Sequence, residues 1–324
     1  QILIRGGSSI SNTNDPLYVI DGVPVINVAT EPPSYGVGGT PALPRNPLNL
    51  LNPQDIASIT ILKDASSTPI YGSRAANGVI LIETKKGSRS GGPTIEFDAY
   101  LAAAQPAKRL NVLTGSEYRT FVEDQNALFV ADSIACPAPA PPDSAAFKAC
   151  IGAADGLDSK HVASLGSANT NWEREVTRTA VTQNYDVSFT GGSEETRYRA
   201  SLNYMNQPGV AIANGLERLQ GSLNASHNAF SDRARFGVNV TTSRVKNTYI
   251  TFENTGGFEG GVFQNVAIFN PTQPVRVTDP TTQTTDYYEV TGSTSVRNPV
   301  ALAEEISDRG TTTTVGDLVA ADER

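Results

Sequence analysis

The chain has 324 residues, a net charge of −8 and 18% charged residues, with 28 Gly and 20 Pro against one Met and one Trp. This acidic balance, with no basic stripe, excludes a nucleic-acid binder, whose phosphate contacts need clustered Lys and Arg. No run of about 18 apolar residues occurs, which excludes a transmembrane helix, whereas barrel strands of about 9–11 alternating residues leave no such mark.

Residues 1–92 read as an α+β unit. Gln1–Arg5 enters strand-like sequence without a basic region, an apolar region or a cleavage site, so a start cut from a longer chain is expected. Leu17–Ile20 is a short apolar run stopped by Asp21-Gly22-Val23-Pro24, a turn signal. A stretch punctuated by Pro and Gly follows from Ala29 to Leu48. Asp55–Leu62 alternates like a strand, with Ile56 offset, and Gly78–Thr84 reads as a buried strand. Gly72 and Gly78 are expected to permit tight turns. Gly91-Gly92-Pro93 marks a linker.

From Thr94 a period of two dominates. Ile95, Phe97, Ala99 and Leu101 alternate with polar or small residues, and the pattern recurs over Tyr185–Phe189, Tyr198–Tyr204, Leu219–Ala225 and Phe236–Val240, more weakly over Thr312–Ala321. The connections run long, short, medium, short, long, the parity of an outer-membrane barrel with short periplasmic turns. In the first long insert, Gly115–Glu123 reads as a short helix capped by Ser116, with Arg119 spaced to pair with Glu123. The inserts 130–165 and 250–300 are expected to be the least regular parts.

Cys136 and Cys150 lie in a Pro- and Ala-rich loop, where a disulfide is plausible in an oxidising compartment. His161 and His227, the two histidines, sit far from them and offer no metal-ligand spacing. Neither histidine allows a Ser-His-Asp or Cys-His set. Gly6-Gly7-Ser8-Ser9 and Gly36–Gly39 lack the ending of a phosphate loop. No catalytic residue, metal or cofactor is expected, and the chain does not read as an enzyme.

Asn14–Pro24, Leu51–Ala65 and Ile70–Ile80 resemble the plug signatures of the SusC/RagA-type TonB-dependent importers. Asn171-Trp172, Ser188–Gly192, Tyr198, Pro208-Gly209, Arg218 and Asn298–Ala301 stand where that family has them. The resemblance implies an α+β plug, N-terminally truncated, over 1–92, followed over 93–324 by the first antiparallel strands of an incomplete transmembrane β-barrel with long extracellular loops. It implies a place in the outer membrane of a Gram-negative bacterium and import of a glycan, oligosaccharide or peptide. The partners implied are the TonB-ExbB-ExbD energising complex, a SusD-like surface lipoprotein and outer-membrane lipid. A signalling receptor and a β-rich surface glycan-binding module are the rival readings.

The plug motifs nominate Asp21, Gly22, Lys63, Asp64, Tyr71, Gly72, Arg74, Asn77 and Gly78 as structural and gating residues, with Arg74 holding the plug against the barrel wall. Arg197, Arg199, Asn203 and Asn224 are nominated to face the lumen. Tyr185, Tyr198, Tyr204 and Trp172 are nominated for an aromatic girdle at the lipid interface.

Overall fold

In the computed structural model the described residues are 16–25, 51–63, 69–75, 77–88, 92–135, 157, 159–230, 233–250, 261–291, 293, 296–305 and 307–323. Asp64, Cys136 and Cys150 lie outside them, as do most of 130–165.

The first unit is a four-stranded sheet in the order β2-β1-β4-β3, built from β1 (Leu17–Ile20), β2 (Val23–Val25), β3 (Ile56–Leu62) and β4 (Val79–Thr84). β1 and β2 form a hairpin whose two loop residues, Asp21 (φ 48) and Gly22 (φ 90), both take positive φ, as a type I′ turn requires. β1 runs parallel to β4, and β3 runs antiparallel to it with a register shift between Ile56 and Ser58. That bulge is the physical form of the offset at Ile56. The central strands β1 and β4 are buried on both faces, while β3 is largely exposed. Leu17, Val19, Ala75 and Val79 pack on one side, and Tyr18, Leu51, Ile80 and Ile82 on the other.

The second unit is a six-stranded antiparallel sheet in the order β12-β9-β8-β7-β6-β5. Its strands are β5 (Thr94–Ala104), β6 (Ala180–Gly192), β7 (Thr196–Pro208), β8 (Gly215–Ala229), β9 (Ala234–Ile250) and β12 (Ser307–Glu323). The edges β5 and β12 do not meet, so the sheet is not closed. Its burial is inverted relative to a water-soluble sheet. Leu202, Leu219, Leu223 and Phe236 are about half exposed, whereas Asn203, Gln220 and Ser188 on the opposite face are no more than 2% exposed. Buried polar and exposed large apolar residues are the informative exceptions to ordinary burial. They fall here on alternate positions of each strand from β6 to β9.

A third body sits at the long-insert end of the sheet. Helix α3 (Trp172–Val176), α4 (Val262–Ile268), the hairpin β10 (Arg276–Thr278) and β11 (Thr285–Tyr287), and α5 (Pro299–Glu305) share one apolar core. Trp172 is 2% exposed there, its ring edge-on to Phe269 at 4.8 Å and its Nε1 donating to the Asn270 carbonyl at 3.1 Å. It is therefore not part of a girdle at a lipid interface. The expectation of irregularity over 250–300 also fails for 261–291. Asn298, fully buried, explains much of this order. Its Nδ2 donates to the Val275 and Tyr288 carbonyls, and its Oδ1 accepts from Val300 and Ala301 at the start of α5.

The helix expected at 115–123 is longer, spanning α1 (Gly115–Ala135), and a further short helix, α2, spans Ser159–Ala163. Thr114, not Ser116, caps α1. Thr114 Oγ1 accepts from Glu117 N at 3.3 Å while Glu117 Oε2 accepts from Thr114 N at 2.8 Å, a reciprocal capping box. The Thr114 N–H, and after it the Thr114 hydroxyl, which donates to Glu117 Oε2 at 2.8 Å, hold the Glu117 carboxyl below the usual glutamate range. Arg119, expected to pair with Glu123, donates to the Gly166 carbonyl.

Candidate functional site

The buried polar face of the six-stranded sheet is where the first unit docks, and the contact starts from local backbone chemistry. Asn52 caps a one-turn helix, Pro53–Asp55, accepting from Gln54 N at 3.1 Å, with Pro in the first turn. This cap-and-proline arrangement suits a helix start. It aims two side chains at the sheet. Asn52 Nδ2 donates to Asp186 Oδ2 on β6 at 2.5 Å. Asp55 Oδ1 meets Arg199 Nη2 on β7 at 3.2 Å, with both side chains nearly excluded from solvent. Asp55 Oδ2 accepts from Ser201 Oγ at 2.6 Å and Ser222 Oγ at 3.4 Å.

The β-ladder places these partners. Ser201 is directly opposite Ser222, and Arg199 lies between Thr190 and Asn224. Arg199 Nη1 also donates to Thr190 Oγ1 at 3.0 Å. Arg218 on β8 donates to the Leu51 carbonyl at 3.0 Å and to Asn203 Oδ1 at 3.1 Å. Asn203 donates in turn to Asn184 Oδ1 at 3.1 Å. A second anchor lies at the hairpin. Asp21 accepts from Thr84 N and Oγ1 at 2.9 and 2.6 Å, and from Asn239 Nδ2 on β9 at 2.6 Å. Among the described residues the hydrogen bonds and ion pair that cross the seam are polar contacts, while the apolar cores lie within each unit. Gln220, Ser243 and Asn247 share the buried face, and Gln220 Oε1 and Nε2, Ser243 Oγ and Asn247 Nδ2 have no hydrogen-bond partner among the described residues.

Among the nominated residues, Asp21, Arg199 and Asn203 enter this seam. Arg197 and Asn224 are half-buried on the same face. Gly22 and Gly72 (φ 70) hold turn conformations. Gly78 (φ 98) donates to the Ala75 carbonyl and accepts from Leu17 N. Tyr71 packs against the Leu17 core, Asn77 is half-buried in the turn before β4, and Lys63 is exposed just past β3. Arg74 lies in the turn Pro69–Ala75, and its side chain is outside the described positions. The residues that make most of the contacts, Asn52, Asp55, Asp186, Ser201 and Ser222, were not nominated. A sequence signal existed for two of them: Asn-Pro followed by an acid two residues on is a helix start, which places Asn52 and Asp55 at a positioned turn.

Comparisons with known proteins agree with this arrangement. Residues 1–79 match the family model of the TonB-dependent Receptor Plug Domain. The chain is 35% identical over 301 residues to the TonB-dependent receptor SusC of Bacteroides thetaiotaomicron, covering 92% of this chain and 25% of the relative. It is 31% identical over 312 residues to the TonB-dependent receptor P3 of Formosa agariphila, covering 95% and 25%. The fold superimposes on the structure of the RagAB peptide transporter with a TM-score of 0.62 at 24% identity, covering 97% of this chain and 33% of that one. The chain therefore spans about a quarter of the length of the curated relatives it matches. With plug motifs, an α+β plug and an unclosed antiparallel sheet fastened to it, the chain belongs to the SusC/RagA-type TonB-dependent receptors.

Proposed function

We propose that this chain supplies the gate and part of the wall of an importer that takes an oligosaccharide or peptide nutrient across the outer membrane, driven by the TonB-ExbB-ExbD complex and closed outside by a SusD-like lipoprotein. The observation that carries the reading is the chemistry of the seam. Separating two apolar cores would cost roughly 25 cal/mol per Å² of exposed surface. Hydrogen bonds to charged groups exchanged for water are each worth about 1.5–3 kcal/mol net. A plug held by Asp55, Asn52 and Asp21 can therefore be drawn from the wall into water without dismantling either partner. The unpartnered polar atoms of Gln220, Ser243 and Asn247 lower the cost further, since wetting satisfies them.

The opposite face supports the membrane part of the reading. Its apolar residues descend across the ladder, from Ala103 on β5, opposite Val181, to Val240 on β9, opposite Leu223. An oblique boundary is what strands tilted by about 35–45° in a bilayer produce. Arg197, Arg199, Asn203 and Asn224 then face the lumen, and Tyr185, Tyr198 and Tyr204 lie toward lipid.

The test is a reversible lock. Cysteines replacing Asn52 and Asp186 in the complete receptor should stop uptake of its nutrient when oxidised and restore it on reduction. Full uptake with the bond formed would refute a moving plug.

A further inference from the structure

Above the apolar band on β9 the outward face changes character. Phe236, Val238 and Val240 give way to Thr242, then to Arg244 and Lys246, both exposed. The neighbouring strand adds to this. Arg309 on β12 is exposed and paired in register with Thr248, so it shares the face of Arg244 and Lys246 by strand alternation. Thr311 and Thr313, opposite Lys246 and Arg244, are exposed between them. One carboxylate enters the group: Glu217 on β8, 3.2 Å from Lys246 Nζ. Three cations thus stand against one acid in a chain whose net charge is −8.

The spacing suits an anion. Residues two apart on a strand lie about 7 Å from each other, and cross-strand partners about 5 Å apart. Arg244 and Arg309 stand about 14 Å apart on either side of Lys246, so their long side chains must close on one phosphate from both sides of it. The height suits a lipid headgroup, because the cluster begins where the apolar face ends. The long inserts leave the sheet at this end and the short turns close the other, which puts the cluster at the external leaflet.

We propose that Arg244, Lys246 and Arg309 form a binding site for the phosphate of a phosphorylated glycolipid in the outer leaflet, with the hydroxyls of Thr311 and Thr313 as added donors. The site rests on the reading that the apolar face lies in lipid. Cations held at an anionic membrane surface contribute roughly fivefold in affinity each, so three together give on the order of a hundredfold.

The experiment uses the complete receptor in uncharged detergent, titrated with lipid A bearing its phosphates and with lipid A stripped of them, bound lipid being counted by native mass spectrometry. The phosphorylated form should bind more tightly, and each of Arg244→Gln, Lys246→Gln and Arg309→Gln should weaken it about fivefold. Glu217→Gln should strengthen binding. Equal binding of the two lipids, or a triple variant that retains the phosphorylated form, would overturn the site. Displacement by inorganic phosphate at equal concentration would also overturn it, marking a free-phosphate site. A spin label at Leu223 separates the two levels of the argument: lipid contact there without preference for the phosphorylated lipid removes the site and leaves the membrane reading standing.

Discussion

Arg199 and Asp55 face each other where almost no solvent reaches, so neither charge tolerates loss of the other. Asp55→Ala should cost about 3–5 kcal/mol, because the buried Arg199 guanidinium is left with only the exposed Glu96 carboxylate, 3.8 Å away. Replacing both residues by apolar ones of similar volume should cost much less. Limited proteolysis of the plug in the complete receptor would measure this, with faster cleavage in Asp55→Ala than in the double variant. A milder effect belongs to Glu117. Its carboxyl is lowered in the folded chain by the Thr114 bonds, so its contribution to α1 is fully present above the ordinary glutamate range. That contribution is lost as the pH falls through the lowered folded value. Amide exchange in the first turn of α1 should accelerate over that acidic window, and Thr114→Ala, which removes the hydroxyl bond but keeps the larger backbone bond, should narrow the dependence without abolishing it. At this scale the sequence was only partly readable. Asp21 and Gly22 announce a hairpin by themselves, since few residues accept positive φ. Asp55 announces its turn but not its partners, which lie more than a hundred residues away and are encoded by no local pattern.

Elements were legible where their period is enforced by two different environments. On the proposed membrane reading, a strand with lipid on one side and polar protein on the other must alternate strictly, as Leu219–Ala225 and Tyr198–Tyr204 do. The short helices α3 and α4 carry no such constraint. Their order comes from packing around Trp172 and Phe269, and segments of five and seven residues are too short to show a helical period. Trp172→Ala should therefore cost about 3–5 kcal/mol and loosen the whole insert body, visible as raised amide exchange from Val262 through Glu305. Its effect on the strands β6–β9 should be slight. The linker after β4 is held by close approach. A Cβ at Gly87 would overlap the backbone of Tyr198, which cannot move aside as a flexible side chain would. Gly87→Ala should destabilise the plug–wall junction by roughly 1–3 kcal/mol, measured as a lower temperature for plug release.

The whole molecule is an inverted sheet wrapped against a small, conventionally packed plug. Composition alone hinted at this through low charge and abundant Gly and Pro, but the docking of the two units was not readable. It depends on which polar residue meets which, and hydrogen-bonding groups of similar size are interchangeable in a one-dimensional pattern. The inversion makes adjacent residues respond oppositely to the same change. Leu223→Arg should cost about 2–4 kcal/mol if Leu223 lies near the bilayer midplane, while Asn224→Arg, on the plug side, should be tolerated by folding and disturb the seam.

Cysteine scanning of β8 from Leu219 to Ala225, in the complete receptor in native outer membranes, tests the account most directly. Leu219, Gly221, Leu223 and Ala225 should react with a lipid-dissolved thiol probe and resist a water-borne one. Gln220, Ser222 and Asn224 should resist the lipid probe and become reactive to the water-borne one when the plug is deleted. Uniform reactivity along the strand, or water-borne labelling at Leu219 and Leu223, would contradict a sheet that shows its apolar face to lipid and its polar face to the plug.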